Sequence, residues 1–124
     1  MPQSLSTTLA GRRVESVRCP GALALGLSGE LTVTVTGDFR LSGPHGVEHF
    51  YPSLAGRPTG GLLRLPASTV TAAGTTQAGA LVLSLDCGLT LTVPPDATTA
   101  PWTVTTPAGP LFTALPGGYS TTPG

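Results

Sequence analysis

The sequence predicts an all-β protein in which two pseudo-symmetric antiparallel β repeats form a small barrel or a two-layer sandwich. Two observations predict this fold. Apolar residues alternate with Thr, Ser, Ala or Gly along several short segments, and two of these segments resemble each other in composition and spacing. Alternation with a period of two places one set of side chains in a core and the other set toward solvent. At most one short helical turn is expected, in the segment that connects the repeats.

The alternation is clearest in two hairpins. Residues 22–35 (ALALGLSGELTVTV) align without gaps on residues 80–93 (ALVLSLDCGLTLTV), with eight identities in fourteen positions. A short link that contains Gly stands in the middle of each segment, as expected for a tight turn. Each repeat is therefore predicted to contain a strand, a hairpin, a further strand, a Pro-x-Gly turn and a last strand. Similar segments flank the hairpins in the same order, at 9–14 and 65–70 upstream and at 39–46 and 102–109 downstream.

Length and composition predict one folded domain over residues 1–124. Repeat one is placed at about 9–51, a connector at 52–66, repeat two at about 67–115 and a flexible tail at 116–124. Three prolines and three glycines interrupt the connector, so a long helix is excluded there. The 40% apolar content and the mean hydropathy of +0.25 are typical of a chain that folds.

The charge of the chain limits the classes of partner. Six basic residues, all of them Arg, balance six acidic residues, so the formal net charge is zero. A balanced charge lacks the electrostatic signature of a protein that binds mainly nucleic acid or an anionic membrane. We therefore expect a protein partner, no nucleic acid and no membrane.

The candidate catalytic motif lies in one short segment. Residues 45–49 (HGVEH) have the H-x-x-E-H order of a metalloprotease motif. That motif requires a helix, whereas Pro44 and Gly46 favour a turn that leads into a strand. No phosphate-binding loop and no spacing of nucleophile and base stand out elsewhere. We expect no catalytic residues, no metal ligands and no cofactor, and interpret the protein as not an enzyme. A small hydrolase or metal-dependent enzyme would have to use His45, Glu48 and His49.

The cysteines and the first residues favour a cytoplasmic location. Cys19 and Cys87 are 68 positions apart, and we expect both to be free thiols. The first residues lack a basic segment followed by an apolar run, and no apolar stretch is long enough to cross a bilayer. Lys, Ile and Asn, whose codons are rich in A and T, do not occur. This absence indicates a genome of high GC content.

Several segments together resemble a known family. They are LAGRRV at 9–14, GEL at 29–31, GDFRL at 37–41, TLTVPPD at 90–96 and LPGG at 115–118. In these segments the chain resembles small uncharacterised β-rich proteins of high-GC bacteria, grouped as domain-of-unknown-function family 6188. The resemblance implies a cytoplasmic β-rich bacterial protein and supplies no catalytic residues. After Gly118 the sequence lacks the final apolar strand expected for this family.

These observations favour a non-enzymatic protein-interaction or binding module of a bacterial cytoplasm. Thr-lined sheet faces and hairpin edges would form the contact surface, either in a homodimer or with a different protein. The alternatives are an immunity-type inhibitor of a partner toxin and a phage or particle structural subunit. The residues expected to contact a partner or ligand are Arg40, His45, Glu48, His49 and Tyr51.

Overall fold

The computed structural model describes residues 5–18, 23–44, 46–50, 64–76, 79–94, 101–115 and 118–121. Within these ranges one short helix precedes eleven strands. The elements are α1 (Leu5–Leu9), β1 (Val14–Arg18), β2 (Leu23–Leu27), β3 (Leu31–Val35), β4 (Phe39–Gly43), β5 (Gly46–Phe50), β6 (Val70–Thr75), β7 (Leu81–Leu85), β8 (Thr90–Val93), β9 (Trp102–Thr106), β10 (Gly109–Leu115) and β11 (Gly118–Thr121).

The strands form two antiparallel sheets around one core. Sheet one has six strands in the order β1-β2-β3-β9-β10-β11, and sheet two has five in the order β5-β4-β8-β7-β6. The apolar side chains at alternate positions of β2, β3, β7 and β8 are all buried, as the period of two predicts. The predicted all-β fold is confirmed, and of the two predicted arrangements it is the sandwich that forms.

The two halves of the chain exchange hairpins between the sheets. In the first half, β1–β3 lie in sheet one and β4–β5 in sheet two; in the second half, β6–β8 lie in sheet two and β9–β11 in sheet one. The ladder between β3 and β9 joins the two parts of sheet one, and the ladder between β8 and β4 joins those of sheet two. Each sheet is therefore completed by the other half of the chain.

The pairings in the two sheets correspond residue by residue. Val33 pairs with Val104 in sheet one, and Leu91 pairs with Leu41 in sheet two. The same sequence offsets, 58 positions for β3 to β8 and 63 positions for β4 to β9, relate both remaining pairs of the β4–β8 ladder to pairs of the β3–β9 ladder. Even the irregularity in β1, which falls between its first and third residues, recurs at the same place in β6.

Backbone hydrogen bonds show the same two-fold correspondence where the halves meet. Arg13 and Thr69, which occupy equivalent positions 56 residues apart, form an antiparallel bridge. The donors and acceptors on either side of the bridge are reciprocal. In the first reciprocal pair, the Val14 N–H donates to the Ser68 carbonyl at 2.8 Å, and the Val70 N–H donates to the Arg12 carbonyl at 2.8 Å. In the second pair, the Gly11 N–H donates to the Val70 carbonyl at 2.7 Å, and the Ala67 N–H donates to the Val14 carbonyl at 2.8 Å.

The described α-helix lies before β1, a place where the sequence predicted no helix. Leu5 and Leu9, four residues apart and thus on one helical face, are both buried, and α1 packs on β6. The Arg12 guanidinium donates to the Thr8 carbonyl at 3.0 Å, which satisfies an acceptor that the helix end leaves open. In the described part of the connector, Arg64 alone has helical geometry. A single turn is too short to show a helical period in the sequence.

The C-terminal residues add a strand where the sequence predicts a flexible tail. Within the segment 116–124, β11 runs antiparallel to β10, with Thr113 opposite Ser120 and Ala114 opposite Tyr119. This pairing satisfies backbone groups of β10 that would otherwise lie at the edge of sheet one. A strand of four residues next to a glycine pair gives no alternating apolar pattern, which explains why the sequence did not predict it.

Exchanging one residue pair between the sheets tests this correspondence. Ser16 lies opposite Gly26 in sheet one, and Ala72 lies opposite Ser84 at the equivalent place in sheet two. A Cβ atom at Gly26 would collide with the Ser16 hydroxyl, so Gly26→Ser should lower the free energy of unfolding by about 1 kcal/mol. Adding Ser16→Ala recreates the pair of sheet two and should recover most of that loss in urea denaturation. Equal losses in the single and double variants would contradict the correspondence.

A second test uses two equivalent turns. Gly11 and Ala67 both have a left-handed backbone, with φ of 83° and 71°, which strains a residue that carries a Cβ atom. We expect Ala67→Gly to raise the free energy of unfolding by up to about 1 kcal/mol, since relief of this strain exceeds the entropy that glycine adds to the unfolded chain. Ala72→Gly, on the exposed surface of β6, is the control and should lower the thermal midpoint. A comparable decrease for both variants would refute the account.

Candidate functional site

The outer surface of the β4–β5 hairpin brings together two of the residues expected to contact a partner. Arg40 and His49 lie directly opposite each other, and Arg40 also pairs with Thr92 of β8. Both side chains are exposed, whereas the neighbours of Arg40 along β4 are buried. Directly opposed residues share a face of the sheet. Arg40 and His49 therefore form a basic pair on the outside of sheet two.

Val47 extends this surface. It lies on the same strand two residues before His49, opposite Ser42, and so on the same face. It is 53% exposed and is, among the described residues, the one large hydrophobic side chain that is exposed. Arg40, Val47 and His49 are called the hairpin patch below.

Glu48 stands on the other face of β5, opposite the buried Leu41. It lines a groove of about 230 Å³ that also borders Val47 and the turn residues Gly43, Pro44 and Gly46. Leu41 and Leu89 give the groove apolar walls, and Arg64 contributes a cation. The Arg64 guanidinium donates a hydrogen bond to the Cys87 carbonyl at 3.3 Å, which ties it to the turn between β7 and β8. The Glu48 groove thus combines an apolar interior with one acidic and one basic group.

Strand β5 is held firmly on one side and open on the other. All five of its residues pair with β4, and the rings of Phe39 and Phe50 stack with centroids 5.1 Å apart and planes 12° from parallel. On the opposite side, no strand of the described chain pairs with β5, and four of its five residues are exposed. The strand is therefore an ordered sheet edge that presents backbone donors and acceptors outward.

The second half of the chain supplies an internal comparison for this hairpin. Phe112 occupies the place of Glu48 in the pairing, because it lies opposite Val104 as Glu48 lies opposite Leu41. The two hairpins differ here, since the β9–β10 ladder shifts register between Pro110 and Phe112 and the β4–β5 ladder does not. Phe112 is fully buried, so the second half packs an aromatic ring where the first half has a carboxylate and a groove. Two other equivalent positions lose their charge, since Arg40 corresponds to Thr103 and His49 to Thr113. Val47 corresponds to Pro110, which is also exposed. The equivalent edge, that of β10, is covered by β11.

The remaining expected contacts are placed in part. His45 and Tyr51 lie outside the described residues, as does Cys19. Glu48 and His49 stand on opposite faces of an extended strand, which is not the helix that the H-x-x-E-H motif requires. In the ranges that the structure describes, no group of three His, Cys, Asp or Glu side chains could hold a metal ion. Cys87 is a half-buried free thiol in the turn between β7 and β8.

Sequence reasoning missed Val47, Arg64 and the groove. Extending the ungapped alignment of the two halves past the Pro-x-Gly turns pairs Glu48 with Leu111 and His49 with Phe112. The register shift in β10 is needed to bring Phe112 to the place of Glu48, so the alignment alone does not indicate the groove. Arg64 has no sequence signal either, because its position beside Glu48 depends on how the connector approaches the turn that contains Cys87.

The comparisons with known proteins identify a family and no characterised relative. No curated protein and no solved structure matches the chain significantly. In the described residues no helix is long and apolar enough to cross a membrane. The model of a family of unknown function, DUF6188, matches residues 5–122, which includes every element from α1 to β11. The chain therefore belongs to the family of unknown function DUF6188, which the resemblance of its sequence segments implied.

Proposed function

We propose that this protein is a non-enzymatic protein-binding module of a bacterial cytoplasm, and that it binds an extended segment of a partner protein along the open edge of β5. The observation that carries the proposal is that β5 is fully paired with β4 on one side, while no strand of the described residues pairs with its other side and four of its five residues are exposed. Such an edge can add a strand, because main-chain hydrogen bonds to the partner continue the sheet.

The backbone direction at Val47 supports this proposal. Pro110 pairs with Thr105 at the position equivalent to Val47, which pairs with Ser42. Proline has no N–H, so the ladder with the preceding strand does not need a donor at this position. In an antiparallel pair, such a residue directs its N–H and C=O away from that neighbour. The N–H and C=O of Val47 are therefore aimed at the open edge of β5.

Charges on β5 restrict which strands can be added. Charged side chains on an edge strand hinder indiscriminate pairing with other sheets. The basic pair Arg40–His49 on one face and Glu48 on the other would oppose a strand that carries like charges at the facing positions. Open backbone groups and a fixed charge pattern together favour selective recognition over general aggregation.

Substituting Val47 tests the proposal. Val47→Pro removes the outward N–H and should preserve the fold, because Pro110 occupies the equivalent position in the second half. Val47→Thr keeps the N–H, suits a strand and is the matched control. We expect Val47→Pro to reduce binding of the partner at least tenfold, since a lost backbone hydrogen bond is worth about 1 kcal/mol and the proline ring also obstructs the added strand.

The measurement is affinity capture from a lysate of the source organism, with quantitative mass spectrometry of wild type and both variants at equal loading. A partner that the wild type and Val47→Thr capture in equal amounts, and Val47→Pro does not, supports strand addition at β5. A stoichiometric partner that all three proteins capture equally would locate the binding surface elsewhere and refute the proposal. Circular dichroism and the thermal midpoint establish that Val47→Pro is folded.

A further inference from the structure

We infer that the strand recognised by β5 runs antiparallel to it and carries an acidic residue followed directly by an aromatic residue, with the acidic residue opposite His49 and the aromatic residue opposite Glu48. This inference rests on the proposed function and specifies the chemistry of the partner. It follows from the two faces of β5, which differ in shape and charge. The pairing of β10 with β11 in sheet one provides the antiparallel geometry.

The aromatic residue follows from the Glu48 groove. In the second half, the equivalent Phe112 is fully buried and faces Val104. In the first half, Glu48 leaves a groove of about 230 Å³ between apolar walls that include Leu41 and Leu89. A partner residue directly opposite Glu48 has its side chain on the same face of the sheet. An aromatic ring at that position would bury apolar surface against the groove. In sheet one the ring belongs to β10 itself, with Thr121 of β11 opposite Phe112, so the partner would supply the ring that the first half lacks.

The acidic residue follows from the hairpin patch. A partner residue opposite His49 projects to the outer face of sheet two. On that face Arg40 lies on β4, directly across from His49. A carboxylate there would interact with the Arg40 guanidinium and could accept a hydrogen bond from the His49 ring. Because the strands are antiparallel, the residue opposite His49 immediately precedes the residue opposite Glu48. The recognised order is thus acidic and then aromatic, from the N-terminus to the C-terminus.

Charge and residue order argue against a second copy of this chain as the strand. Two β5 strands that pair with their faces matched can be centred on Val47, Glu48 or His49. The register centred on Glu48 opposes two carboxylates, and the register centred on His49 places two His49 rings between two Arg40 guanidiniums. The register centred on Val47 avoids both repulsions, but it puts Gly46 opposite Glu48 and leaves the groove without an aromatic ring. None of the three registers supplies an acidic residue opposite His49 together with an aromatic residue opposite Glu48. Phe50, the aromatic ring available in a second copy, already stacks on Phe39. The recognised strand therefore belongs to a different protein.

Synthetic peptides test the inference on the full-length protein. The probe is the capped octapeptide Thr-Val-Thr-Asp-Phe-Thr-Val-Thr, titrated into ¹⁵N-labelled protein and monitored by the amide signals of β5. Three control peptides replace Asp by Lys, replace Phe by Ala, or reverse the central pair. We expect each control to bind about fivefold more weakly, the effect of one cross-strand pair at the upper end of its usual range. The Val47 and His49 amides should shift most, as they face the added strand.

A variant of the protein separates filling of the groove from general affinity. Glu48→Phe introduces the residue of the second half and should fill the groove from within. We expect the Phe and Ala peptides to bind this variant equally, while the preference for Asp over Lys remains. Equal binding of all four peptides to the β5 edge of the wild type would overturn the inference and leave the proposed function intact. If no peptide shifts the β5 amides at millimolar concentration, both the inference and the proposed function fail.

Discussion

Two β ladders, β3 with β9 and β8 with β4, hold this protein together. Each ladder joins three strands of one half to the hairpin of the other half, so neither half contains a complete sheet. The buried leucines of β2 and β7 lie in the same core, and they lose contact with water only when both halves are in place. The exchange of hairpins thus makes folding of the first half depend on folding of the second. The two joining ladders share their register in both sheets, whereas β10 has a register shift that β5 lacks.

The exchange also determines which sheet edges remain open. At one side of the sandwich, β1 and β6 end the two sheets, and the residues that immediately precede them, Arg13 and Thr69, form a bridge. At the other side, the hairpins bring β10 and β5 to the outside, and β11 covers β10. Among the described strands, β5 is left as an edge without an equivalent cover. The two halves therefore differ in the covering of the outer hairpin strand: β10 is covered, and β5 is not covered by any described strand.

Differences between equivalent positions indicate where function resides. A position that serves only the fold can carry the same residue in both halves. Leu25 and Leu83, which are equivalent, are both buried leucines. The position that Glu48 and Phe112 share is occupied differently in the two halves. Glu48 is an exposed carboxylate beside a groove, and Phe112 is a buried ring. The basic pair of Arg40 and His49 likewise has only threonines as its counterpart. The concentration of such differences on one open hairpin is the main argument for a binding surface there.

The alternation of apolar residues was sufficient to predict the hairpins, the core leucines and the order of ten strands. It could not predict the exchange, because a period of two specifies the face of a residue and not the strand that pairs with it. The helix α1 was missed because Leu5 and Leu9 form a single turn, and β11 because its pattern does not alternate. Of the residues in the candidate site, Arg40, Glu48 and His49 were expected as contacts from the sequence. The groove beside Glu48 depends on tertiary packing with Arg64 and Leu89, which no local pattern encodes.

Native-state amide hydrogen exchange is the most direct test of the claim that each sheet is completed by a hairpin from the other half of the chain. If each sheet needs both halves, the slowest amides of β3 and β4 must open only together with those of β8 and β9, in the global unfolding of the protein. We therefore expect the opening free energies of these four strands to converge to one value as denaturant is added. Two separate values, one for the strands of residues 14–50 and another for those of residues 70–115, would show that the halves unfold independently and would contradict this account.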